Sequence, residues 1–186
     1  MRAASTIPNL GRFMKSAVLN NATKKMEILQ VIFLEYHFQI IIYSLMMLKS
    51  AIPVPKEKQI LIKMCASGCC HTDIHAIDGD WGVKPKSSLV PGHEGVGTVV
   101  EVGSAVTNFK VGDLAGMAWL HSACGTCEYC ISGWETLCES QQNTGYGVDG
   151  AYSSYQVAQA SHAIKIPDGI DPFQAARKSF NALCFL

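Results

Sequence analysis

The chain has 186 residues, enough for one domain, or for one and part of another. Fifteen basic residues balance fifteen acidic ones, so no large net field argues for nucleic acid, an anionic membrane or an acidic substrate, and partners must be read from local sites. No charged stretch followed by an apolar run and a small-residue cleavage site opens the sequence, so its eight cysteines are expected to stay reduced in a cytoplasmic protein, which ranks metal above disulfide.

Residues 1–13 read as an N-terminal extension. Arg2, Arg12 and Lys15 precede the first acidic residue, Glu27, and this weakly resembles an organellar transit segment, so a mitochondrial location is the alternative. KKMEILQ, ending at Gln30, has the texture of a strand or hairpin arm. In residues 31–48, VIFLEYHFQIIIYSLMML, fourteen of eighteen side chains are apolar, but Glu35, His37 and Gln39 argue against a membrane span. Buried strand and core helix stay open there, because a continuous apolar run has no diagnostic period.

From Ala51 the texture changes to short β-prone runs broken by glycine: QILIKM, GVGTVVEVG, VGDLAGMAW and AYSSYQVA. These predict a mainly β fold with short helices, arranged as a barrel or sandwich. HTDIHAID is expected to form a short helix or turn after QILIKM, and Asp168 with Gly169 a late turn.

Cys124, Cys127, Cys130 and Cys138 have the spacing C-x2-C-x2-C-x7-C, which lets tight turns aim four sulfurs at one point. Zinc suits such a set, and four thiolates leave no position for substrate, so the site is structural. Free thiols, disulfides, an iron–sulfur centre and a zinc ribbon remain alternatives. The ferredoxin run, however, has a shorter last gap and ends in proline, whereas Glu139 follows Cys138, and a ribbon uses two separated C-x2-C pairs. A second constellation joins GCCHTDIH at 68–75 to PGHEGVG at 91–97, where Cys70 and His93 are ligand types that catalytic zinc takes.

CCHTDIHAIDGDW, PGHEGVGTVVEVG, FKVGD and the cysteine cluster together resemble the zinc-dependent medium-chain alcohol dehydrogenases, particularly the yeast and bacterial ethanol-type branch. The resemblance covers roughly residues 52–176, and MKSAVLNNATKKMEILQ at 14–30 resembles that family's first strands. It implies a GroES-like barrel over residues 14–176, normally followed by a Rossmann domain for the dinucleotide. Carried over residue by residue, it implies Cys70, His93 and the approaching Glu94 at a catalytic zinc, with Asp73 orienting His93. It makes Thr72 and His75 a proton relay, puts His71 near the cofactor pyrophosphate, and sets Trp81 and Trp119 along a pocket for small primary alcohols or aldehydes. Cys69 reads as a bystander. NAD is the implied hydride acceptor, and the complete enzyme is expected to form a homo-oligomer without nucleic acid or membrane.

The sequence departs from the pattern in three places. An untypical apolar insertion occupies about residues 32–51. GYGVDG at 145–150 is a G-x-G-x-x-G string, but AYSSYQVA follows it where a dinucleotide turn needs a helix. Residues 177–186 form an aberrant tail in which the family's third zinc-ligand cysteine is expected near Phe180, while Cys184 comes about four residues late. The expectation is a chain that ends before its cofactor domain and is inactive alone. The alternative is a zinc-stabilised fragment that is not an enzyme.

Overall fold

The structure is a computed structural model that describes residues 51–86 and 89–176 in full and the backbones of residues 14–19 and 26–31. The expectations for residues 1–13, for the apolar insertion up to residue 50, and for the tail with Cys184 lie outside the described residues.

β1 (Met14–Leu19) and β2 (Met26–Val31) pair antiparallel with Met14 opposite Val31, so KKMEILQ does supply one arm of a strand pair. The main ladder begins at β3 (Gln59–Ser67), where Ile60, Ile62 and Met64 are almost completely buried. Their branched or long apolar side chains suit a pleated surface covered on its inner face. Next come helix α1 (His71–Asp78), β4 (Gly95–Val102) and β5 (Leu114–Gly116). β6 (Leu120–Ser122), the single turn α2 (Glu128–Ile131), a 3-10 turn at Glu135–Leu137 and β7 (Gln142–Asn143) follow, before β8 (Tyr155–Gln159) and β9 (Ile164–Ile166).

Five strands form one antiparallel sheet in the order β8-β3-β4-β5-β9. Its core stacks Ile60 and Ile62 against Val99, Phe109, Ala115 and Met117. This is the mainly β architecture with short helices expected from the glycine-broken runs. HTDIHAID does form α1, and Gly169 turns the late loop with a φ of 85°. Among the described residues, no helix is long and apolar enough to cross a membrane.

Two features of this sheet position the functional groups. The β3–β4 register pairs Ser67 with Gly95, and the Gly68 N–H continues the ladder by donating to the Glu94 carbonyl at 3.1 Å. Cys70, just beyond β3, and His93, just before β4, are thereby brought face to face. In addition, β6 and β7 pair through Leu120 with Asn143 and Ser122 with Gln142, making a stem from which the cysteine-rich loop projects.

Candidate active site and cysteine lobe

Cys70, His93 and Glu94 each offer a metal-ligating atom, and these atoms all lie within 4.8 Å of one another. His93 is buried, and its Nδ1 donates to Asp73 Oδ1 at 3.0 Å, which directs the opposite ring nitrogen toward Cys70 and Glu94. His93 Nε2 lies 3.9 Å from Glu94 Oε1. Asp73 holds this orientation because its other oxygen accepts the Cys70 backbone N–H at 3.0 Å, tying the carboxylate to the first turn of α1. Glu94 reaches inward only because residue 68 has no side chain: a Cβ there would sit 1.9 Å from Glu94 Oε2.

The electrostatics suit a cation. Burial alone would lower the His93 pKa, but hydrogen bonds to Asp73 and Cys70 outweigh it and raise the group to about 9. The same contact with His93, aided by the Thr72 hydroxyl and N–H, holds the Cys70 thiol below its usual range against the effect of burial. Burial pushes the Glu94 carboxyl up. A site whose thiol leans toward thiolate, and whose imidazole is turned by a carboxylate behind it, has the chemistry of a metal site.

Several aromatic residues gather beside the cleft. The Trp119 ring centroid is 5.2 Å from that of His93, and the Trp81 ring stands edge-on to Trp119 at 5.7 Å. His75 lies 5.9 Å from Trp81 and 4.8 Å from His71. The His75 Nδ1 pairs with Asp80 at 2.7 Å, a partner that sequence reasoning did not find. It also missed Tyr146, whose ring packs edge-on to Trp81 at 4.8 Å and whose hydroxyl donates to the Val83 carbonyl. Tyr146 belongs to GYGVDG, a turn between β7 and β8 with no helix after it, so the structure gives this string no dinucleotide context. Instead, Asp149 accepts the Val90 N–H at 3.1 Å and pairs with Lys86 at 2.5 Å, fastening the loop that carries Trp81.

Tyr152 was also missed. Its hydroxyl donates to Asp73 Oδ2 at 2.7 Å and lies 3.0 Å from Cys69 Sγ. Burial pushes the Cys69 thiol up to about 12, which favours its S–H form. Only a Gly-x-Tyr context was available as a signal, and AYSSYQVA reads simply as strand.

In the lobe on the β6–β7 stem, Cys124, Cys127, Cys130 and Cys138 converge, with all sulfurs within 4.8 Å. The Cys124–Cys130 and Cys127–Cys130 separations are 3.8 Å and 3.5 Å. These are too long for a disulfide, whereas four sulfurs at about 2.3 Å from a central zinc lie about 3.8 Å apart at the corners of a tetrahedron. Backbone N–H groups of Thr126 and Cys127 point at Cys124 Sγ, at 3.5 Å and 3.3 Å, and draw its pKa down to about 6. Cys130, desolvated among the other sulfurs, is pushed up to about 12 without a cation. The donor set therefore fits a metal.

A GroES-like unit of the medium-chain dehydrogenases is the class that this sheet, its Cys–His–Glu cleft and the separate four-cysteine lobe define. The match to the alcohol dehydrogenase GroES-like domain over residues 56–168 makes the assignment specific: the chain belongs to that family. It is 54% identical over 125 residues to an alcohol dehydrogenase of Moraxella sp. (strain TAE123), covering 67% of this chain and 37% of the relative. Against an alcohol dehydrogenase of Geobacillus stearothermophilus it is 48% identical over 163 residues, covering 88% and 42%. Among solved structures, a cinnamyl alcohol dehydrogenase from Sorghum bicolor superposes with a TM-score of 0.63 at 32% identity, over 69% of this chain and 39% of that one. A structure described as a zinc-binding dehydrogenase from Sinorhizobium meliloti 1021, bound to NADP, gives 0.62 at 33% identity over 68% and 36%. The chain thus spans less than half the length of each of these relatives.

Proposed function

We propose that the chain is the catalytic GroES-like part of a zinc-dependent alcohol dehydrogenase that oxidises small primary alcohols to aldehydes with NAD once joined to a dinucleotide-binding domain. The observation that carries this reading is the convergence of Cys70, His93 and Glu94, with Asp73 behind His93. In that reading Cys70 and His93 hold a catalytic zinc and Glu94 approaches it, while the four-cysteine lobe holds a structural zinc. When bound, zinc would supply a Lewis acid that favours loss of the alcohol proton, and NAD would supply the hydride acceptor.

The chain's own residues then orient the substrate and move the proton. Asp73 fixes the His93 tautomer. Thr72, whose hydroxyl reaches toward Cys70, would take the alcohol proton as it gives up its own hydroxyl proton, and His75, partly exposed, would receive that proton and release it to solvent. Trp81 and Trp119, edge-on at 5.7 Å, are the rings that would line the alcohol pocket. His71, exposed at the start of α1, stands where a cofactor pyrophosphate is expected. The second reading, a zinc-stabilised unit that is not an enzyme, is favoured by the lobe, whose four sulfurs come together without help from the Cys70 cleft.

One assay separates the two. Positioning of the nicotinamide contributes on the order of 7–11 kcal/mol of barrier lowering, so the 186-residue chain alone should form no measurable NADH from ethanol. Joined to a dinucleotide-binding domain that also brings a third ligand cysteine, it should gain zinc-dependent NADH formation and lose it on Cys70→Ser. A joined protein that folds, binds NAD and stays inactive would favour the second reading. Robust NADH formation by the short chain would refute the need for an added domain.

A further inference from the structure

We infer that the Tyr152 hydroxyl is a positioning group for the Cys70–His93 cleft, acting through Asp73. The inference rests on the proposed metal-binding reading of that cleft. Asp73 is buried, and its carboxylate serves three donors at once: His93 Nδ1 on one oxygen, and the Cys70 N–H and the Tyr152 hydroxyl on the other. Two of those donors belong to the cleft itself, one on each side of it. The third comes from a segment 79 residues away in sequence and fixes the carboxylate from behind.

The hydroxyl proton has one strong acceptor to choose. Asp73 Oδ2 lies at 2.7 Å, whereas the Gly68 carbonyl is at 3.3 Å and Cys69 Sγ at 3.0 Å. A charged acceptor at the shortest distance takes the proton, which leaves the tyrosine oxygen able to accept the Cys69 S–H. Asp73 then has a fixed direction along which to accept the His93 Nδ1–H, so the opposite imidazole nitrogen stays toward Cys70 and Glu94.

The ring is held independently of the hydroxyl. Tyr152 N–H donates to the Pro91 carbonyl at 3.0 Å and Ala151 N–H to the Gly92 carbonyl at 2.8 Å, so this segment runs beside the residues leading into His93. Gly92, with a φ of 97°, leaves the ring its place: a Cβ there would stand 2.6 Å from Tyr152 Cδ1. Phenylalanine at position 152 therefore retains the packing and removes only the hydrogen bond.

Cobalt(II) titration of the chain, followed by its visible absorption after the four-cysteine lobe has been filled with zinc, tests the idea without any turnover. Tyr152→Phe should weaken cobalt binding at the Cys70–His93 cleft about tenfold, within the range for partners behind a ligating histidine. The melting temperature of the cobalt-free chain should fall by no more than a few degrees. Asp73→Asn should weaken binding as well, and adding Tyr152→Phe to it should cost nothing further, because the hydroxyl acts through that carboxylate. Parent-like cobalt affinity in Tyr152→Phe would overturn the inference, as would an undiminished extra loss in the Asp73→Asn background. The same holds if the cobalt-free chain loses as much stability as the loaded one. Cys70→Ser is the separate control: if it leaves cobalt binding intact, the metal-site reading of the cleft itself fails.

Discussion

Replacing Cys127 by serine should release the lobe from the rest of the fold. α2 and the 3-10 turn contain four and three residues, and neither buries a side chain. Segments that short do not hold themselves together in water. Tyr129, Ile131, Trp134 and Leu137 are all exposed, so apolar burial does not compensate. What orders the lobe is the convergence of four sulfurs. Structural zinc sites of this kind contribute about 10–16 kcal/mol in all, or roughly 2.5–4 kcal/mol per thiolate, so losing one should lower zinc affinity by about two to three orders of magnitude. Elemental analysis after dialysis against a mild chelator should find about one zinc per chain in the parent and close to none in Cys127→Ser. Hydrogen exchange should show loss of protection confined to residues 124–141, with β3 and β4 still protected. Cys65→Ser, which lies outside both cysteine clusters, should do neither. Full zinc retention with unchanged protection in Cys127→Ser, or iron in place of zinc, would refute the reasoning.

Metal binding at the Cys70–His93 cleft should strengthen as pH rises toward about 9, because the second imidazolium proton, on the His93 nitrogen that faces Cys70, must leave first while the Nδ1–H stays on Asp73, and a pH series of cobalt titrations should show it. The sign for the metal-free chain is opposite. With its folded pKa raised above the ordinary value, His93 contributes stability that is full below about pH 6.5 and lost as pH rises through about 9, which thermal melts across that window can measure. Ile62→Ala, at a fully buried position between β4 and β8, should cost about 2–5 kcal/mol and lower the melting temperature by about 2–4 °C for each kcal/mol, without changing zinc content. Deleting residues 32–51 should raise soluble yield, since they match no strand of the family pattern, and failure of the shortened chain to fold would show that they belong to the core.

Spacing alone made the cysteine lobe legible. Four sulfurs within fifteen residues need only short-range turns to meet, so their sequence separation nearly dictates their geometry. The strand runs were equally local, because alternating β-branched residues between glycines reflect the pleat they occupy, as QILIKM and GVGTVVEV do. Cys70 and His93 stood out as ligand types, but spacing did not join them as it joined the four cysteines, and the resemblance had to supply the pairing. Twenty-three positions separate the two residues, and what brings them together is the antiparallel register that sets Ser67 against Gly95. Asp80 beside His75, Tyr146 against Trp81 and Tyr152 behind Asp73 lie inside strings that the sequence singles out, yet no string announces these roles, since each is gained from a partner on another segment or across a turn. GYGVDG shows the same limit from the other side. The string matches a nucleotide turn, yet the strand that follows it makes the turn a fastening for the Trp81 loop, because what a glycine pattern does depends on the elements that flank it.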